Sequence, residues 1–183
     1  MRLELGAFAG GAFPMQEPKF SAGPSYGATV LLRPIWWTSI GLTIQKASYG
    51  YHAVGFNFDE PNGSYESTAK GLAWRLYLTD EGWFEPYFQA FLGSASVEVS
   101  DASPQCDGGG GGMTEFGLGI DAYTWSWVRL GASFGVSTGP PGSSECTLAS
   151  HSGEPPAVPS GPLTANLRGN LTFVLGGPSR GLF

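Results

Sequence analysis

Eight stretches of this chain alternate, residue by residue, between an apolar side chain and a small or polar one, and that repetition constrains the fold more than any other feature. Successive side chains of a strand point to opposite faces, so a period of two marks a strand with two different environments. The alternations fall at about 2–12, 24–34, 36–50, 65–79, 83–99, 113–123, 127–138 and 163–175. The sixth sets Phe116, Leu118, Ile120 and Ala122 against Glu115, Gly117, Gly119 and Asp121. The seventh sets Val128, Leu130, Ala132, Phe134 and Val136 against Arg129, Gly131, Ser133 and Gly135. In the first, Leu3, Leu5, Ala7 and Ala9 oppose Glu4, Gly6, Phe8 and Gly10. No uninterrupted apolar run of about 18 residues occurs, which excludes a transmembrane helix.

The connections between alternations change length in turn. Three are tight, at Pro34-Ile35, Asp80-Glu81-Gly82 and Thr124-Trp125-Ser126, and four are long, at about 13–23, 51–64, 100–112 and 139–162. An even strand count puts both termini on the side of the tight turns, the arrangement of bacterial outer-membrane barrels. Trp36, Trp37, Trp83, Trp125 and Trp127 flank the tight turns, while Tyr26, Tyr49, Tyr51 and Tyr65 gather towards the long loops. Rings with one polar atom collect at the two boundaries of a bilayer, so these residues are expected to form aromatic girdles.

Composition separates two kinds of barrel. A soluble barrel with a ligand cavity places its large apolar residues inside and its charged parity outside. Here only 13% of residues are charged, 14% are aromatic and 29 are glycine, against roughly a quarter charged in ordinary soluble domains. The polar parity is mostly Gly, Ser, Thr and Ala with a few charges, suited to the narrow interior of eight strands. Mean hydropathy of -0.03 fits lipid-facing and lumen-facing residues that cancel in any average. The expected fold is therefore a single domain over 1–183, an all-β, eight-stranded, antiparallel up-and-down transmembrane barrel. Its net charge of -6 argues against a nucleic-acid partner, which needs a basic stripe. Position 1 leads directly into Arg2-Leu3-Glu4-Leu5 without a charged and then apolar leader, as expected of a mature chain or an excised domain.

On this pattern, over essentially its whole length, the chain resembles the small eight-stranded outer-membrane barrels typified by the transmembrane domain of outer membrane protein A. The resemblance implies an integral bacterial outer-membrane location, with extracellular loops and periplasmic termini. It also implies delivery by the barrel-assembly machinery, which reads a terminal strand of alternating apolar residues ending on an aromatic. Leu167, Leu171, Phe173 and Leu175 alternate and the chain ends on Phe183, although Gly176-Gly177-Pro178 intervenes. Outer-membrane lipid and lipopolysaccharide are the expected surroundings, and a monomer the expected state.

Several residues on this framework carry chemistry. Glu4, Arg33, Arg75, Glu85, Glu115, Asp121, Arg129 and Arg168 fall on the lumen parity, where ions must pair. Hairpin counting places Asp121 opposite Arg129, Arg75 near Glu85 and Tyr87, and Glu4 within reach of Arg33. A packed, charge-filled interior is the bland expectation and a narrow pore the sharper one. Lys46 and Lys70 share the lipid-facing parity just below the long loops, where a lysine snorkels or meets a lipid phosphate. Cys106 and Cys146 lie in the third and fourth long loops, and a disulfide between them would contribute up to roughly 4 kcal/mol.

Other motifs point nowhere specific. Gly108–Gly112 lacks the lysine and hydroxyl residue of a phosphate loop. Pro140, Pro141, Pro155, Pro156, Pro159 and Pro162 make the last loop Pro-rich and extended. Two histidines and two cysteines at no recognised spacing predict neither a metal nor a cofactor. Asp59, Glu60, Asp101, Asp107, Glu145 and Glu154 suggest at most weak divalent binding. His52 and His151 lie in loops, and His151-Ser152 with Glu154 nearby has no frame to hold a catalytic geometry. The leading expectation is a non-enzymatic membrane anchor and scaffold displaying surface loops. A narrow pore for small solutes and a lipid A-modifying enzyme are the alternatives.

Overall fold

The computed structural model describes residues 1–15, 20–51, 63–79, 83–101, 110–138 and 163–176. The strands are β1 (Arg2–Pro14), β2 (Phe20–Ser21), β3 (Gly23–Ile35), β4 (Thr38–Tyr51), β5 (Gly63–Tyr77), β6 (Phe84–Asp101), β7 (Gly110–Trp125), β8 (Val128–Ser137) and β9 (Thr164–Leu175). Each long strand pairs antiparallel with its sequence neighbour. β1 pairs β9 from Leu3↔Leu175 to Pro14↔Thr164, which closes the sheet on itself. The two-residue β2 pairs with the far end of β4 as a continuation of β3 across Ala22. The result is a closed, eight-stave, antiparallel up-and-down barrel. Among the described residues every long strand is paired on both sides, the condition for placing strands in hydrocarbon.

The start of β1 and the end of β9 share a rim with the turns at 36–37 and 126–127, as the alternating connection lengths predict. The turns themselves are displaced from their expected places. Pro34 and Ile35 belong to β3, and Trp36-Trp37 make the turn; Thr124 and Trp125 belong to β7, and Ser126-Trp127 make the turn. Register shifts accompany both, between Leu32 and Ile35 and between Tyr123 and Trp125. Proline and threonine are ordinary turn signals, but here exposed tryptophans occupy the tips. The strands also reach further into the loops than period two suggests. Gly110-Gly111-Gly112 pair with Ser96, Ala95 and Ser94, so most of the glycine run is strand rather than loop tip. The residues 80–82, Cys106, Cys146, His52, His151 and Phe183 lie outside the described residues.

Which parity faces out is unambiguous. Leu42, Ile44, Leu72, Leu92, Phe116 and Leu118 each have more than half their surface exposed, whereas Glu4, Glu85, Asp121 and Arg129 have none. Exposing a continuous apolar surface of this extent to water carries a large cost at roughly 25 cal/mol per Å²; in hydrocarbon that cost vanishes. On β6 the outward apolar run extends from Phe84 to Leu92. Eight steps of about 3.4 Å give about 27 Å along the strand, or about 20 Å of height at a tilt of about 40°. That is somewhat less than the apolar band of about 25 Å on outer-membrane barrels.

Glycine on the inner parity makes room for the large lumen side chains. A Cβ added at Gly119 would collide with the Tyr87 ring. That ring is held by Arg75 stacked on it at 4.6 Å and by Asn170 Nδ2 donating to its hydroxyl at 3.0 Å. Gly119→Val is therefore expected to destabilise the barrel by about 1–3 kcal/mol through overpacking. Gly112→Val, whose Cβ would meet nothing within 4 Å, is expected to stay within about 0.5 kcal/mol. Urea midpoints of the two variants folded in micelles check the contrast.

Candidate functional site

Among the described residues eight charged side chains are buried in the lumen, four acids and four arginines: Glu4, Arg33, Arg75, Glu85, Glu115, Asp121, Arg129 and Arg168. They form two groups, each neutral overall. Towards the turn rim, Arg129 is the hub. Its Nη2 lies 2.6 Å from Glu4 Oε1, and its Nη1 lies 2.8 Å from Glu85 Oε2 and 3.6 Å from Asp121 Oδ2. Arg33 Nη1 bridges two of these acids, at 3.0 Å from Glu85 Oε2 and 3.7 Å from Glu4 Oε1. Its Nε donates to the Trp36 carbonyl at 2.7 Å, and its Nη2 donates to the same oxygen, which ties the charge group to the first turn. Arg75 is held more loosely, 3.5 Å from Asp121 Oδ2.

Sequence counting put these residues on the right face and partly with the wrong neighbours. Asp121 stands opposite Gly131, and Arg129 opposite Tyr123, because the β7–β8 turn lies further along the chain than expected. Asp121 and Arg129 meet diagonally instead of head on. Arg75 stands opposite Gln89 and pairs with Asp121, not with Glu85. Glu85 reaches across the lumen to Arg33 on β3, a contact no hairpin arithmetic supplies.

Tyrosines complete the group; hairpin counting places Tyr87 beside Arg75, which stacks on its ring at 4.6 Å, and the others are legible only as polar-parity residues. Tyr77 Oη donates to Glu4 Oε2 at 2.9 Å, while the Arg33 guanidinium lies 3.8 Å over its ring. Arg129 lies 5.6 Å from the centres of Tyr77 and Tyr123. Planar guanidinium groups stack on such faces while keeping their donors for carboxylates. All four buried cations among the described residues are arginine.

The second group sits nearer the loops. Arg168 holds Glu115 with two parallel bonds of 2.6 and 2.8 Å. Glu115 also accepts from Gln45 and Gln89 at 3.5 Å and from Asn166 at 3.4 Å. Arg168 stacks over Phe8 at 4.8 Å. Between the two groups a cavity of about 40 Å³ remains, lined by residues that include Phe8, Gln45, Arg75, Glu115, Arg168 and Asn170. Roughly three waters fit such a volume.

Above it the lumen is closed by rings. Phe20 packs edge-on against Tyr65 at 5.1 Å and Tyr49 at 6.3 Å, with Ala12 and Val97 beside them. Tyr49 and Tyr65 are thus a lumen plug and not part of a lipid-facing girdle. Their position on the odd parity of β4 and β5, shared with Gln45 and Arg75, is the sequence signal for this. Tyr26 does face outward. The five tryptophans of the expected turn-side girdle, Trp36, Trp37, Trp83, Trp125 and Trp127, are all exposed on the outer surface. Trp74 joins them there, donating its Nε1 proton to Thr38 Oγ1 at 2.6 Å. Trp127 stacks between Trp125 at 6.4 Å and Phe173 at 6.0 Å.

Closure, an apolar exterior and a charge-filled lumen set the frame for comparison with known structures. The N-terminal β-barrel domain of Pseudomonas aeruginosa OprF superposes with a TM-score of 0.60 at 14% identity, covering 95% of this chain and 97% of that one. This chain has the fold of the small outer-membrane β-barrels. Neisserial surface protein A matches at TM-score 0.60 and 11% identity, covering 94% of this chain and 95% of its own. A major outer membrane protein from Thermus thermophilus matches at TM-score 0.58 and 12% identity, covering 95% of this chain and 99% of its own. No protein-family model and no curated sequence matches the chain. At such distances in sequence, what is shared with these small outer-membrane barrels is the fold.

Proposed function

We propose that this chain is an integral outer-membrane protein that neither conducts nor catalyses. It is a rigid anchor holding its long-loop rim at the cell surface, with the turns and termini in the periplasm, after insertion by the barrel-assembly machinery. The observation that carries this reading is the lumen. It is filled in series by a neutral ion cluster, a second bonded acid–base pair and an aromatic plug. A solute-conducting lumen needs a continuous wet path, and the cavity between the plugs holds only about 40 Å³. Long loops on a stable scaffold are where recognition residues sit, and the similar structures include a surface protein and a major outer membrane protein.

Reconstitution into planar bilayers tests the proposal. Fully inserted protein is expected to leave the bilayer resistance unchanged across a range of voltages. Resolved, voltage-stable current steps that scale with protein added would favour the pore reading and sink this one.

A further inference from the structure

The buried arginines differ in what already occupies them. Arg33, Arg129 and Arg168 each donate to a carboxylate oxygen at 3.0 Å or less. Arg75 is held differently. Its Nη1 lies 3.5 Å from Asp121 Oδ2 without a hydrogen bond, and that nitrogen has no acceptor among the described residues. Asp121 in turn divides its charge between Arg75 and Arg129, at 3.5 and 3.6 Å. The Arg75 guanidinium stacks on the Tyr87 ring at 4.6 Å, an arrangement that occupies a face of the group and leaves its in-plane donors for another partner.

Arg75 and Arg168 both line the cavity of about 40 Å³ between the two ion groups. Arg168 uses Nη1 and Nη2 on Glu115, and its buried Nε has no acceptor among the described residues. The charged lining is therefore two guanidinium groups against one carboxylate, Glu115. Glu115 is already engaged, by both Arg168 nitrogens and by Gln45, Gln89 and Asn166. Buried charged donors demand an acceptor. A cation entering here would meet two guanidinium groups and a carboxylate whose oxygens are taken. A water would satisfy a donor but leave the positive excess of the lining uncompensated. A small monovalent anion does both, through charge-assisted bonds that strengthen at low dielectric. Space for roughly three waters admits a halide and is too small for a four-oxygen phosphate or sulfate.

We propose that the lumen binds one small monovalent anion of the halide class in this cavity. Arg75 is its primary ligand, and Arg168 Nε is the second charged donor. The ion completes the charge-filled interior and locks the loosely held Arg75 between the two groups. The site is built from lumen residues alone, so the inference goes beyond the anchoring role and does not depend on it.

Two measurements on the full chain test it. Crystals grown in sodium bromide and measured at the bromine absorption edge are expected to show an anomalous peak in the cavity, within hydrogen-bond reach of Arg75. In micelles, the temperature at which the compact, unboiled gel band is lost is followed as chloride replaces gluconate at constant ionic strength. It should rise and then saturate, as for a ligand that binds only the folded state. Arg75→Gln/Asp121→Asn removes the guanidinium and keeps the turn-rim group neutral, so this variant should lose most of that rise. Should it fail to fold, the bromide peak in the unaltered chain decides alone. Water alone in the cavity, bromide at the outer surface as an adventitious ion only, or an equal chloride response in parent and double variant overturns the proposal.

Discussion

Arg129→Met is expected to destabilise the folded barrel by about 3–5 kcal/mol, the usual cost of removing one partner from a buried ionic group. The side chain has no exposed surface and faces three carboxylates, from Glu4, Glu85 and Asp121. Without it those three acids share only Arg33 and Arg75. Asp121 suffers most, since neither of its oxygens accepts a hydrogen bond from a described residue and it is held by charge at 3.5 and 3.6 Å. The urea midpoint of refolding in phospholipid vesicles reads the effect. Arg129→Met combined with Glu4→Gln restores the charge balance and should recover about half of the loss. A single variant within about 0.5 kcal/mol of the parent would mean that the group is not packed as described.

The second large effect lies on the opposite parity. Phe88 stands at the centre of the outward run on β6 and is about half exposed. Phe88→Arg should cost about 2–4 kcal/mol in a bilayer, the penalty for a cation at the midplane of a lipid-facing strand. Phe84→Arg, beside the turn rim, should cost about 1 kcal/mol or less, because the same charge reaches the interface. On a water-exposed barrel neither change would be unfavourable, and the depth dependence would disappear. Comparing the two positions by equilibrium refolding into vesicles separates these cases.

The eight long strands and the face of every buried charge among the described residues follow from period two, and the alternation of turn and loop rims from the connection lengths. A slip of two residues preserves parity. That is why counting from a turn at 124–126 kept Asp121 and Arg129 in the lumen while mispairing them. What the period leaves open is geometry across the barrel. Arg33 meets Glu85 from β3 to β6, and Tyr49 Oη donates to Thr164 Oγ1 at 3.5 Å from β4 to β9. Such contacts depend on closure and stagger, which one-dimensional alternation does not encode. The aromatic plug was hidden for a different reason. Tyr49 and Tyr65 have the composition of an interfacial girdle, and only their parity shows that they point inward. The exterior lysines were legible as a lipid-side pair, but the Glu66 bridge that distinguishes Lys46 from Lys70 needed the β4–β5 register.

Whether the apolar parity truly meets lipid is tested most directly by comparing folding in plain buffer with folding in detergent or phospholipid. Heat-modifiable migration on a gel and circular dichroism read it together. The account predicts a strand spectrum and a shifted, unboiled band only when an amphiphile is present, both lost on boiling. A monodisperse, strand-rich species in buffer alone would contradict it.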